Sequence, residues 1–142
     1  MSHGSPTPWN GIYAASKAAL HQITDVLWME AKPFDVNVVL IIPGAVKSNI
    51  ADKALASGVH VPDGSLYKSY EPQIVSRVLV SQGASSMPSD EFARRIVNAT
   101  LAVRPPRSIM IGGSTTYWKI FAWLPKTMVL DRLWNIFLKV RE

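Results

Sequence analysis

Tyr13 and Lys17 stand four residues apart in the stretch YAASKAAL, a spacing that places both side chains on one helix face, one turn from each other. A free phenol titrates near ~10, too high to trade protons readily at neutral pH. A lysine ammonium one turn away favours the phenolate, and a phenol so placed becomes a usable general acid or base. The spacing by itself is weak. Four tyrosines and eight lysines in 142 residues produce a Tyr-x-x-x-Lys by chance with a probability of roughly 0.2. The bland alternative is an exposed tyrosine beside a solvated lysine, so the surrounding elements have to decide.

Other chemistries find little support. The absence of cysteine removes a disulfide scaffold, a thiolate metal site and a cysteine nucleophile together. His3, His21 and His60 lie far apart with no ligand spacing, so no metal centre is expected, and His21 reads as a packing or surface residue. Ser65-Leu66-Tyr67-Lys68 satisfies Ser-x-x-Lys without its partner motifs, and neither a Gly-x-Ser-x-Gly elbow nor a P-loop occurs.

The elements that must position Tyr13 and Lys17 follow from the pattern. Residues 13–32 read as one helix: Ala14, Ala15, Ala18 and Ala19 are strong helix formers, and Leu20, Ile23, Val26 and Leu27 extend an apolar stripe up to Pro33. The alanines leave room for a neighbouring helix or sheet to approach closely. Val36 to Ile42 is a β-branched apolar run suited to a parallel strand buried on both faces, stopped by Pro43-Gly44. This is the rhythm of a doubly wound sheet, whose ligands sit beyond the carboxyl ends of the strands. Residues 45–88 are broken by Gly58, Pro62, Asp63-Gly64, Pro72 and Gly83 into short helical pieces, a candidate substrate lid. Ser89 reads as an N-cap of a helix reaching about Val103 and burying Phe92, Ile96, Val97 and Leu101. A second strand is expected at Ser108–Ile111, ended by Gly112-Gly113.

Taken together, the helix with Tyr13 and Lys17, the strand 36–42, and Pro43-Gly44-Ala45-Val46-Lys47-Ser48 resemble the short-chain dehydrogenase/reductase family in order and spacing. The resemblance implies an α/β fold, the carboxyl-terminal portion of a Rossmann-like doubly wound parallel sheet. It also implies roles. Tyr13 matches the proton donor to a substrate carbonyl, and Lys17 the residue that holds the nicotinamide ribose and assists the tyrosine. Pro43 and Gly44 match the turn on the nicotinamide face, Val46 the position whose backbone holds the carboxamide, and Ser48 a cofactor contact near the phosphates. Pro6-Thr7-Pro8-Trp9-Asn10-Gly11 and the Gly112-Gly113-Ser114 end are similar to a fungal branch of the family, the NADPH-dependent 1-acyldihydroxyacetone-phosphate reductases. That likeness implies NADPH as cofactor and a lipid ketone as substrate, reduced to 1-acylglycerol 3-phosphate. It further implies a place on the cytosolic face of the endoplasmic reticulum and lipid droplets.

The departures are specific. The family's catalytic serine, about thirteen residues before the tyrosine, falls just off the start at Met1, and Ser2 and Ser5 are too close to the tyrosine to replace it. The glycine-rich pyrophosphate turn is absent from the chain. Trp28 stands where relatives often carry Arg, and Asp35 where they often carry Gly. The chain therefore reads as the carboxyl-terminal half of a reductase, expected to be inactive alone.

Residues 117–142 read as a separate amphipathic tail on a body of residues 1–116. The tail holds three of five tryptophans and five Lys/Arg against two Asp/Glu, out of a net charge of +5. An aromatic-basic end on a near-neutral body suits a membrane or lipid-droplet surface better than nucleic acid. The alternative function is thus a non-catalytic membrane-surface module acting through this tail, and the bland reading is a solvated helix packed on its own domain. Residues 1–12 lack the pattern of a secretory signal, and no run reaches the ~18 apolar residues of a spanning helix, so the chain is read as cytosol-facing. Homodimer pairing through the Tyr13 helix is also expected.

Overall fold

The computed structural model describes residues 6–139, the side chains of residues 51 and 55 aside; Ser2, Ser5, His3 and the last three residues of the tail lie outside. The elements are α1 (Gly11–Glu30), β1 (Leu40–Pro43), α2 (Ile50–Ala56), α3 (Glu71–Leu79), α4 (Ser89–Thr100), β2 (Ser108–Ile111), α5 (Thr115–Phe121) and α6 (Lys126–Leu138). Short 3-10 turns cover Lys32–Phe34, Lys68–Tyr70 and Val80–Gln82. β1 and β2 pair in parallel, with Leu40 opposite Ser108 and Pro43 opposite Ile111. The α/β class with a parallel sheet is therefore as expected.

Several boundaries differ from the sequence reading. The first strand begins at Leu40, not Val36, because a strand exists only where a ladder can form. Its first rung is the Leu40 N–H donating to Arg107 at 2.9 Å, just where Pro105-Pro106 releases the second strand. The Val36 N–H instead turns back to the Ala31 carbonyl at 3.4 Å. Nor is the strand buried on both faces: Ile109 is buried but its neighbour Ile41 stays exposed. α1 stops at Glu30, since Pro33 lacks the N–H that would have bonded the Met29 carbonyl. The chain turns there through Asp35 at φ 53°, a left-handed position that glycine takes freely and Asp tolerates.

Ser89 is the first residue inside α4, and Pro88 is the cap. The helix ends at Thr100, whose hydroxyl bonds back to the Ile96 carbonyl at 2.9 Å. None of the four residues expected to be buried is so: Phe92 and Ile96 are half-buried, and Val97 and Leu101 are exposed. The tail breaks at Pro125, which caps α6.

The buried apolar residues are Ala31, Val61, Ile109, Val129 and Leu133, two of them on α6. Around α6 the rings of Trp9, Tyr70 and Trp134 stand 6.0 to 6.2 Å apart, tying the segment before α1, the turn before α3 and the tail into one cluster. Next to it, Glu71 accepts the Val61 N–H at 3.0 Å and pairs with Lys68 at 2.9 Å, while Lys68 also reaches Asp63 and the Val61 carbonyl. The Ser-x-x-Lys lysine is thus committed to holding the 60–71 loop.

A compact monomer of this mass exposes about 7,300 Å²; this chain exposes 10321 Å². On α1, Ile12 is 91% and Ile23 62% exposed and no residue is buried.

Candidate functional site

Tyr13 lies in the first turn of α1 and is 56% exposed. Lys17 follows one turn later, with its ammonium 5.3 Å from the centroid of the Tyr13 ring. The cation therefore sits over the ring face, a favourable electrostatic contact that also fixes both side chains on one side of the helix. Lys17 pairs with no carboxylate among the described residues. Its donors remain available to a ligand.

The Pro43-Gly44 turn follows β1 and presses against the turn after β2. Gly44 donates to the Ile111 carbonyl at 2.8 Å, and Ala45 and Gly113 exchange two bonds at 2.9 Å. A Cβ at Gly44 would collide with the Gly113 carbonyl oxygen, and one at Gly112 (φ 127°) would meet the Gly44 nitrogen at 2.8 Å. Glycine is required there because two backbones occupy the space of a side chain. Val46 continues this chain alongside Met87, held by Met87 donating to the Ala45 carbonyl and Lys47 donating to that of Met87. Ser48 is exposed in the loop leading to α2.

An apolar cavity of about 610 Å³ opens beside this turn. Ala14, Ala15 and Ala18 of α1 form one wall, Pro43 and Gly44 the floor, and Trp118 with Phe121 of α5 part of the far side. Lys126 is the one charged residue in its lining. The alanine stripe thus fronts a cavity. The structure brings Pro43 and Gly44 to the same cavity as the α1 helix. Tyr13, Lys17, Val46 and Ser48 stand outside its walls.

The opposite end of α1 is fastened differently. Arg107, at the start of β2, pairs with Asp25 at 2.8 Å, and its guanidinium lies 4.5 Å from the Trp28 ring. Lys32 lies 3.9 Å from the same ring. Trp28, the departure from the family's common Arg, therefore receives two cations instead of supplying one. A polar cavity of about 530 Å³ sits there, lined also by Leu40 and Ile42 of β1.

Two residues, one beside Tyr13 and one beside Gly44, escaped the sequence reading. Arg77 of α3 is half-buried, and its Nε donates to the Thr7 hydroxyl at 3.1 Å. Burial pushes its guanidinium below the usual arginine range, and the neighbouring Tyr13 partly opposes that shift. Thr115, whose hydroxyl donates to the Gly112 carbonyl at 3.1 Å, packs its methyl against Gly44. Neither pairing has a local signal, because each joins segments about seventy residues apart. Among the described residues no group of His, Asp and Glu could hold a metal ion.

The family profile for short chain dehydrogenase matches residues 1–57, which include α1, β1 and the turn that follows. An NADPH-dependent 1-acyldihydroxyacetone phosphate reductase of Saccharomyces cerevisiae is 32% identical over 140 residues, covering 90% of this chain and 46% of the yeast protein. A short-chain dehydrogenase of Penicillium crustosum is 37% identical over 93 residues, or 66% of this chain and 33% of that protein. Another, from Pyricularia oryzae, is 30% identical over 124 residues, or 87% and 43%. No solved structure matches. The chain spans about half the length or less of these relatives. By these matches the chain belongs to the short-chain dehydrogenase/reductase family of oxidoreductases.

Proposed function

We propose that this chain carries the proton-donating and nicotinamide-facing part of an NADPH-dependent ketone reductase acting on a lipid-like substrate. The preferred substrate is 1-acyldihydroxyacetone phosphate, reduced to 1-acylglycerol 3-phosphate. The observation that carries the reading is Tyr13 with Lys17 on one face of α1, on the helix whose next face walls the Pro43-Gly44 cavity. The residues present fit the nicotinamide end of a dinucleotide: Lys17 pairs with no carboxylate among the described residues, and Pro43 and Gly44 form a tight turn beside an apolar cavity. Lys17, Pro43, Gly44 and Val46 would hold that end, and Ser48 would contact the cofactor nearer its phosphates. The chain has no glycine-rich turn for the pyrophosphate.

When bound, the cofactor supplies a hydride. The work of this chain is then proton supply and placement. The Tyr13 hydroxyl gives its proton to the oxygen that becomes the alcohol, and Lys17 favours the phenolate left behind. The apolar cavity beside the turn suits a hydrocarbon chain better than a polar substrate. The yeast relative's name supports the choice of ketone and cofactor. The exposed stripe of Ile12, Ile23 and Leu27 on α1 supports cover by further protein, a second copy included.

Turnover of NADPH with 1-acyldihydroxyacetone phosphate, measured on this chain joined to the remaining part of the yeast relative, tests the reading. Tyr13→Phe is expected to lower it at least about a hundredfold with little change in fold, and an unchanged rate would falsify the assignment. The isolated 142-residue chain is expected to bind NADPH weakly or not at all.

A second reading is favoured by Trp123, which is 92% exposed beside Leu124, Lys126 and Met128. These residues make a basic, aromatic projection between α5 and α6 suited to an anionic membrane surface. No described helix is long and apolar enough to cross a membrane. Trp123→Ser should reduce co-sedimentation with anionic liposomes without lowering stability. Equal sedimentation would remove the tail from membrane contact.

A further inference from the structure

We propose that Arg77 receives an anionic group of the substrate, a phosphate monoester, at the approach to Tyr13. This rests on the reductase reading above and adds a specificity determinant to it. Arg94, Arg95 and Arg107 each end on a carboxylate, of Asp90, Glu91 and Asp25. Arg77 does not: among the described residues it has the Thr7 hydroxyl on Nε and the Phe137 ring 5.7 Å from its Cζ, and its two terminal nitrogens meet no acceptor. It is also half-buried, whereas Arg104 and Arg132 are exposed.

A guanidinium withdrawn from water without an acid partner is costly, and the cost is recovered when an anion arrives. The planar fork matches two phosphate oxygens at once. Location favours the substrate over a casual ion. Thr7 lies six residues before Tyr13, so the bond to its hydroxyl holds Arg77 against the segment that enters the first turn of α1. The same α3 face carries Gln73 one turn earlier. Its Nε2 reaches the Leu138 carbonyl only at 3.5 Å, and its Oε1 is buried with no partner among the described residues. The seam between α3 and α6 is therefore short of both an acceptor for the cation and a donor for the amide oxygen. A phosphate monoester supplies the acceptor that the Arg77 cation lacks.

The test is calorimetric titration of the 142-residue chain with 1-hexanoylglycerol 3-phosphate and with 1-hexanoylglycerol, a pair differing only in the phosphate. The phosphate form should bind about tenfold tighter or more. Arg77→Gln should abolish that preference and Arg77→Lys keep part of it, with the neutral ligand's affinity unchanged in both. Inorganic phosphate should compete with the phosphate form only. Equal wild-type affinities overturn the proposal. So does a preference that survives in Arg77→Gln, or a loss of both ligands alike in Arg77→Lys, which retains the charge if Arg77→Gln does not fold. Loss of the preference together with a Tyr13→Phe protein of unchanged turnover would break the reductase reading and leave Arg77 as a phosphate receptor. Full dependence on Tyr13 with no phosphate preference would do the reverse.

Discussion

α1 and α6 are both amphipathic, and the structure treats them in opposite ways. α1 is the longest helix described and carries Tyr13 and Lys17, yet none of its residues is buried and its stripe of Ile12, Leu20, Ile23 and Leu27 faces outward. α6 lies in the segment read as an appended tail, yet its Val129 and Leu133 are buried and its Trp134 meets Trp9 and Tyr70. The difference separates two kinds of apolar pattern. One is satisfied within this chain; the other is a surface awaiting cover. A hydrophobic stripe tells that a face is to be buried, but not by what.

The sharpest way to break that contrast is a matched pair of substitutions. Leu133→Ala removes a side chain that is 4% exposed and should cost about 2–4 kcal/mol in unfolding of the isolated chain. Ile23→Ser, on the exposed stripe, should change stability by less than about 0.5 kcal/mol. Equal costs in a chemical denaturation series would show that α1 is packed within the chain after all.

A smaller effect concerns the loop that leads to α3. The Val61 N–H first, and Lys68 second, hold the Glu71 carboxyl below its usual range, while Glu71 and then Asp63 raise Lys68 above its own. For Glu71 the stabilising contribution is present above the carboxylate's unfolded value, near ~4.3, and is lost as pH falls through the lower folded value. For Lys68 it is present through neutrality and lost only at strongly alkaline pH. Melting temperature should therefore hold steady through the neutral range and fall below about pH 4, and Glu71→Gln should flatten part of that fall. Parallel acid profiles for the two proteins would remove Glu71 as the cause.

What could be read from the residues depended on how local the cause was. The turn at Pro43-Gly44, the second strand at Ser108–Ile111 and the break at Pro125 follow from chain stiffness and β-branching within a few residues. The strand start at Leu40 was not legible, because its limit is set by Arg107, which arrives from far along the chain. The burial of Leu101 failed because α4 ends at Thr100 and leaves it beyond the helix, while Val97, still within α4, is 50% exposed. For the site, Tyr13 and Lys17 were legible as a four-residue spacing. Arg77 was not, since its meeting with Thr7 joins the start of the described chain to α3.

By itself the sequence determined the α/β class, the face shared by Tyr13 and Lys17, and the glycine positions where backbones cross, since these are fixed by propensity, helical period and φ. Only the tertiary structure decided which apolar faces are covered, that the tail contributes to the core, and that Pro43 and Gly44 meet the alanine wall of α1 in a cavity while Tyr13 stands outside it. The reason is that burial and proximity are set by competition among distant segments for the same partners, a competition that no local pattern records.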